Sequence, residues 1–317
     1  MPRVNAPFPY FGGKSRAAGL IWPRFGDVPN YVEPFAGSLA VLLARPHAPR
    51  TETVNDLDCY LANFWRALKM VPHEVAEWAD WPVNEADLHA RHEWLIAQDN
   101  FRQQMRTNPL YYSPKIAGWW VWGLCCWIGP GWCEVRGDGH PPEKLPHLGD
   151  AGRGIHRNKL PHLGDAGRGD ALRAWFSAFA DRLRTVRVAC GDWERVLGPS
   201  VTEKHGVTAI LLDPPYAASE HDVSYAASAG DVAADVRAWA VQHGDNPLLR
   251  IALCGYDTEH AMPDGWTSAT WKAKGGYGSQ ADGRGRENCS RETIWFSPHC
   301  VRIRQSLFDV LPLEAAV

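Results

Sequence analysis

Two hydrophobic signatures alternate along the chain. Short, almost purely apolar runs occur at 186–189, at 207–212 (VTAILL) and at 248–253, with a last one at 292–296. Runs of that length bounded by polar or turn residues read as buried strands. Between them lie stretches with apolar residues every three or four positions. Leu57, Tyr60, Leu61, Phe64 and Leu68 form one such stripe, and 171–183 form another, so both read as amphipathic helices. Residues 31–43 (YVEPFAGSLAVLL) predict a short strand, a tight turn and an apolar helix. A second short strand follows at 53–55, and 73–127 is mostly helical. Strands alternating with helices predict an α/β sheet covered on both faces.

One region breaks the pattern. Residues 129–170 are rich in Gly, Pro, His and Arg, and KLPHLGDAGRG occurs twice, at 144–154 and at 159–169. Two copies are too few for a solenoid, so the segment reads as a duplicated loop or hairpin. The expected organisation is a core of 1–70 and 171–317, with 71–170 inserted as a helical and loop subdomain.

Composition narrows the classes. The 317 residues are 45% apolar and 22% charged, with a net charge of −3, so any nucleic-acid surface must be a local patch. None of the eight cysteines forms a CxxC pair, which points to reduced thiols in a cytoplasmic protein rather than zinc or a disulfide framework. No apolar leader segment opens the chain. The uncharged stretch 116–133 is broken by Gly129-Pro130-Gly131 and reads as a buried helix and turn, not a membrane span. Eight of the sixteen tryptophans fall between Trp78 and Trp132. Most of these read as core, with base stacking as the functional option.

The strongest chemical signal is Asp213-Pro214-Pro215-Tyr216, directly after VTAILL. At the carboxyl end of a parallel strand a carboxylate faces the ligand crevice. Two prolines fix the turn, so that the Pro214 carbonyl and the Asp213 carboxylate stand side by side as acceptors. An amino group with two donors suits that pair, and Tyr216 offers a face to a planar ring. The second signal is Glu33-Pro34-Phe35-Ala36-Gly37-Ser38 between a strand and a helix, where small residues admit a ligand to a helix N-terminus. Asp56 follows the next strand, where carboxylates accept ribose hydroxyls. Pro9-Tyr10-Phe11-Gly12-Gly13-Lys14-Ser15 imitates a phosphate-binding loop, but Phe8 stands where that motif needs glycine, which argues against nucleotide hydrolysis.

Together PYFGGK, EPFAGS, NDLDCYLAN, CGDW and DPPY resemble the D12 class of N6-adenine DNA methyltransferases, the Dam-like group, in its α order of motifs. The repeated segment and the ending ETIWFSPHC are similar to phage and prophage versions. The resemblance covers about 5–70 and 185–296. It implies a Rossmann-like, S-adenosylmethionine-dependent fold. By the same resemblance Tyr10, Gly12 and Lys14 meet the methionine part of S-adenosylmethionine. Glu33, Pro34, Phe35, Ala36 and Gly37 line the cofactor, Asp56 binds its ribose, and Asp192 and Trp193 lie near its adenine. Asp213, Pro214, Pro215 and Tyr216 hold the target base. Glu33 and Ala36-Gly37-Ser38 depart from the aspartate and glycine run of many members.

The implied reaction is methylation of adenine N6 in double-stranded DNA. The base is flipped out and attacks the sulfonium methyl in line, with no metal. Trp132, Arg136, Arg153, Arg157, Lys159 and Arg168 are the candidate DNA contacts. Five Lys/Arg against two Asp between 144 and 169 favour phosphate contact, and GPGWCEVRGDG loosely resembles the family's DNA-reading hairpin. Arg284, Arg286 and Arg291 form a second basic cluster. Cytosine N4 or RNA adenine as the acceptor, and a silent DNA-binding relative, are the alternatives. A monomer or weak dimer is expected. The recognition sequence and any restriction partner are left open.

Overall fold

The computed structural model describes residues 6–8, 14–127, 132–133, 169–215, 226–271 and 292–303. Its centre is a seven-stranded sheet. In chain order the strands are β1 (Asn30–Glu33), β2 (Thr51–Asp56), β3 (Val186–Cys190), β4 (Thr208–Leu212), β5 (Leu249–Tyr256), β6 (Thr267–Thr270) and β7 (Glu292–Phe296). Their order across the sheet is β3-β2-β1-β4-β5-β7-β6. Strands β1 to β5 are mutually parallel, and β7 runs antiparallel between β5 and β6. The chain winds one way from β1 to β3 and the other way from β4, so the strand order reverses between β1 and β4. In an open α/β sheet the ligand crevice lies at such a reversal.

The central strands carry no polar face because helices cover both sides. Strand β4 is buried at all five positions. Its side chains alternate between two cores, as period-two geometry requires. Ala209 and Leu211 join Tyr31, Ala252 and Cys254 in the larger cluster. Ile210 and Leu212 join Val32, Ile251 and Leu253 in the smaller one. The smaller cluster is closed by α9 (Ala226–His243) through Val236 and Ala240.

The larger cluster lies under α1 (Ala18–Phe25), α2 (Ala40–Leu43) and α3 (Cys59–Met70). It continues without a break into α4 (Pro72–Ala79), α5 (Glu85–Ile96), α6 (Phe101–Thr107), α7 (Pro114–Cys126) and α8 (Gly169–Leu183). Helix α7 starts where it does for a local reason. Ser113 caps it by accepting the Ile116 N–H, and Pro114 takes the first helical position. Asn63 on α3 fixes that start by bonding both the N–H and the C=O of Ser113, at 2.8 and 3.0 Å. The described helices of 72–126 therefore share one core with the sheet rather than packing around a core of their own.

Most of the tryptophan-rich stretch serves that core, as the sequence indicates. Trp120, Trp122 and Trp127 are buried, whereas Trp78 and Trp81 are exposed. Trp132 differs from its expected role as a DNA contact. It is 9% exposed, and its indole N–H donates to the Trp120 carbonyl at 3.0 Å. Its ring packs with His92 and Trp127 and lies directly over Gly123. The bare backbone at Gly123 leaves the room that the Trp132 ring fills.

A β-carbon at Gly123 would fall inside the space of the Trp132 ring. Gly123→Ala should therefore destabilise the fold by about 1–3 kcal/mol through overpacking. Urea denaturation followed by tryptophan fluorescence would measure it, and an unchanged midpoint would remove the packing role given to Trp132.

Candidate functional site

The five parallel strands end along one edge of the sheet, and the chemistry-bearing residues collect there. Glu33 ends β1, Asp56 ends β2, Cys190 ends β3, and Asp213 follows β4. Strand β7 runs the other way, so its first residue, Glu292, arrives at the same edge and faces Tyr256 at the end of β5.

The left half of this edge is a set of interlocked turns. Asn55 donates to the Pro34 carbonyl at 3.0 Å and to the Gly191 carbonyl at 2.9 Å, so one side chain ties the turns after β1 and β3 to β2. Asp56 accepts the Gly37 N–H at 3.1 Å and the Asp58 N–H at 2.9 Å. Gly37 has φ +46°, a left-handed conformation that glycine adopts without strain. Ala36, also in this turn, is buried, and its N–H donates to the Asn55 carbonyl. Phe35 stacks on Trp193 with ring centroids 6.2 Å apart, while exposed Asp192 caps the turn at Trp193–Val196 through the Glu194 N–H. Beneath these turns the buried thiol of Cys190 donates to that of Cys59 at 3.6 Å.

The right half is a buried charge cluster. Lys14 is 5% exposed, and its ammonium lies 3.1 Å from Asp213 and 3.3 Å from Glu292. Burial alone would push the Lys14 pKa down, but the facing Asp213 and Glu292 carboxylates outweigh it and hold the pKa above the ordinary lysine value. Burial pushes the Glu292 carboxyl up, against the pull of Lys14. Glu33 is more deeply set. It accepts the Tyr31 hydroxyl at 3.0 Å, and burial drives its pKa well up despite that bond. Burial also keeps Cys254 on β5 a thiol. Pro214 is buried and Pro215 exposed, so the peptide after Asp213 lies at the mouth of the crevice.

The residues that the sequence singled out thus fall into two groups. Lys14, Glu33, Pro34, Phe35, Ala36, Gly37, Asp56, Asp192, Trp193, Asp213, Pro214 and Pro215 line one edge. Tyr10, Gly12, Tyr216, Arg136, Arg153, Arg157, Lys159, Arg168, Arg284, Arg286 and Arg291 lie outside the described residues. Sequence reasoning missed Asn55 as the knot of the turns and Glu292 as the second partner of Lys14. It also missed Trp271, whose ring stands 5.7 Å from the Lys14 ammonium and whose indole N–H is buried without a partner among the described residues. The one signal available for Glu292 was a charged residue opening an otherwise apolar strand. Among the described residues no cluster of His, Cys, Asp or Glu is arranged to hold a metal ion, and no helix is long and apolar enough to cross a membrane.

A seven-stranded, mostly parallel sheet flanked by helices, with carboxylates ranged along its carboxyl edge, is a Rossmann-like methyltransferase fold. Residues 10–113, about a third of the chain, match the model of the D12 class N6 adenine-specific DNA methyltransferase family. The matched stretch runs from the segment before Lys14 through the turns of β1 and β2 to the start of α7. No curated protein matches the chain.

The acids of this edge make a pH-dependent stability. Burial, with Asp58 beside it, moves Asp56 from 3.8 to about 7, and Glu33 moves in the same direction. A raised folded pKa means that the folded state binds more protons than the unfolded chain, so stability falls as pH rises from about 4 through the folded values. Buried His92 and His260, whose pKa values burial lowers, work in the opposite direction over the same range, so the carboxyl contribution is read by comparing chemical denaturation of the wild type with that of a variant between about pH 5 and about pH 8. Glu33→Gln, which keeps an acceptor for Tyr31, should flatten that fall, and an equal slope in the variant would exclude Glu33 as a cause.

Proposed function

We propose that this chain transfers a methyl group from S-adenosylmethionine to N6 of adenine in double-stranded DNA. The observation that carries the reading is the position of Asp213-Pro214 at the carboxyl end of β4, across the strand reversal from the Glu33–Gly37 turn. The family match adds the acceptor class, adenine in DNA.

The residues present suit a nucleoside methyl donor. Asp56 offers a carboxylate at a crevice lined by Ala36 and Gly37, held by the Gly37 and Asp58 N–H groups and by the backbone at Leu57. The Phe35 and Trp193 pair supplies an aromatic wall for an adenine ring. When bound, the cofactor supplies an electrophilic methyl on a sulfonium. Everything else falls to the chain. Asp213 and the Pro214 carbonyl accept the two N6–H bonds of an adenine that has been turned out of the duplex. Those bonds draw the N6 lone pair out of conjugation with the ring and aim it along the line of attack. Tyr216 supplies the stacking face, and the negative charge of Asp213 stabilises the positive charge that develops on N6 as the carbon–sulfur bond breaks, after which N6 gives up one proton, to Asp213 or through it to water. Positioning and electrostatics carry the rate, without a covalent intermediate.

The arginines and lysine of 136–168 remain the proposed phosphate contacts, and Trp132 drops out of that set because it is packed in the helical core. A soluble protein acting where DNA is present fits this role.

Asp213→Ala should lower the transfer rate by at least about 10²–10³-fold, the scale of losing one group aimed at developing charge. The measurement is incorporation of labelled methyl into duplex DNA, with digestion to nucleosides to identify the product and circular dichroism to check folding. Wild-type-like turnover in the variant, or methylcytosine as the product, would refute the assignment.

A further inference from the structure

Cys59 and Cys190 take no part in the mechanism above, yet the fold brings them together from 131 residues apart in the chain. Both are buried. Cys190 ends β3, and its thiol donates to the Cys59 sulfur at 3.6 Å. Cys59 is the first residue of α3, where a helix N-terminus favours negative charge.

The two thiols are not equivalent. The hydrogen bond from Cys190 brings the Cys59 pKa down to about 7. Burial and Asp58 oppose that fall, and Arg106 and Arg102 on α6, which packs on α3, support it. Cys190 moves the other way, because its bond to Cys59 and burial push its pKa well up, with Arg66 opposing. Burial alone raises a thiol, as it does at Cys254 and Cys300. Cys59 is thus the nucleophile of the pair and Cys190 the protonated partner aimed at it.

The pair lies directly beneath the crevice wall. Cys59 comes two residues after exposed Leu57, and Cys190 two residues before exposed Asp192. The residue after Cys190 is part of that wall. The Gly191 N–H donates to the Asp56 carbonyl at 3.0 Å, and its carbonyl accepts Asn55 at 2.9 Å. Asp58, just before Cys59, donates its N–H to the Asp56 carboxylate.

We propose that Cys59 and Cys190 form an oxidation site, at which a peroxide joins them in a disulfide and so displaces the turns that carry Asp56 and Gly191. The Cys59 thiolate attacks one peroxide oxygen, the O–O bond breaks, hydroxide leaves, and Cys59 becomes a sulfenic acid. The Cys190 sulfur then attacks the Cys59 sulfur. Its proton leaves with the displaced hydroxide as water. Two electrons pass from the sulfurs to the peroxide, and a thiol reductant returns them. Bonded sulfurs stand about 2 Å apart, so closing the 3.6 Å gap moves the ends of β3 and α3 toward each other. That movement takes the Asp56 and Gly191 turns out of register with the crevice. The consequence for methyl transfer rests on the methyltransferase reading, whereas the disulfide does not.

The probe is hydrogen peroxide, added in small excess to the full reduced chain. Free thiols are then alkylated in denaturant, and the digested peptides are mapped by mass spectrometry. The expected product is a Cys59–Cys190 linked peptide, lighter by two hydrogens than its separate halves and released by dithiothreitol. Methyl transfer to duplex DNA by the same sample should fall at least about 10²-fold, the scale of a misplacement of about 1 Å near reacting groups, and return on reduction. Cys59→Ala, which removes the nucleophile, should transfer methyl at the same rate before and after peroxide. Should that variant fail to fold, the wild-type map decides. Both thiols still free after peroxide, a link through another cysteine, a linked chain with unchanged transfer, or an equal loss in Cys59→Ala overturns the proposal. A reduced chain that transfers no methyl, yet forms the disulfide, would instead bring down the methyltransferase reading and leave the oxidation site standing.

Discussion

The ammonium of Lys14 is the interaction on which the catalytic edge depends. It comes from the segment before α1, and its partners come from the end of β4 and the start of β7, some two hundred and more residues away in the chain. A buried charge of this kind tolerates little error. If either carboxylate is displaced, the remaining pair stays desolvated without its full complement of bonds. The cluster therefore demands that the sheet be assembled with β7 inserted between β5 and β6, and no other strand order would bring Glu292 to Asp213. Fold specificity and site geometry meet in one contact.

The opposite half of the edge is held by neutral hydrogen bonds. Asn55 and Asp56 join three turns through backbone groups, so the crevice wall has its shape before any ligand enters. Pre-formed shape lowers the entropy lost on binding. The division is chemically sensible. A nucleoside needs a wall of fixed outline with a carboxylate for its hydroxyls, while the reacting centre needs charge that is fixed in direction.

How far the sequence revealed this depended on the range of each determinant. Strand β4 was legible because VTAILL is buried on both faces and needs no partner to declare itself, and Asp213 was legible because it ends that strand. Asp56 and the Glu33–Gly37 turn were legible for the same local reason. The short helix α1 buries Ala18, Ile21, Trp22 and Phe25 at helical spacing, but it spans only eight residues and contains Pro23, and strand β6, Thr267–Thr270, is mostly exposed with no alternating pattern. Lys14 was read as a ligand of the cofactor's methionine part, whereas its described partners are Asp213 and Glu292. That pairing depends on strand order, which no local pattern encodes. Trp132 was expected among the DNA contacts and is packed in the helical core, because exposure cannot be read from an aromatic residue beside glycines. The same Gly and Trp composition suits a stacking surface or a ring packed over a bare helix backbone.

The helical layer is joined to the sheet through one continuous core. Helices α4 to α7 share their core with α3 and α8, and α3 in turn begins directly after Asp56. Cys133 is tied to this layer through its N–H, which donates to His92. At the other end the chain returns at Gly169, whose N–H donates to Asp80 just after α4. Both ends are thus fastened to the same rigid layer, and the layer is fastened to the crevice. Packed helices of this density deform only at high cost, so the spacing between the two anchors and the crevice is fixed by the core.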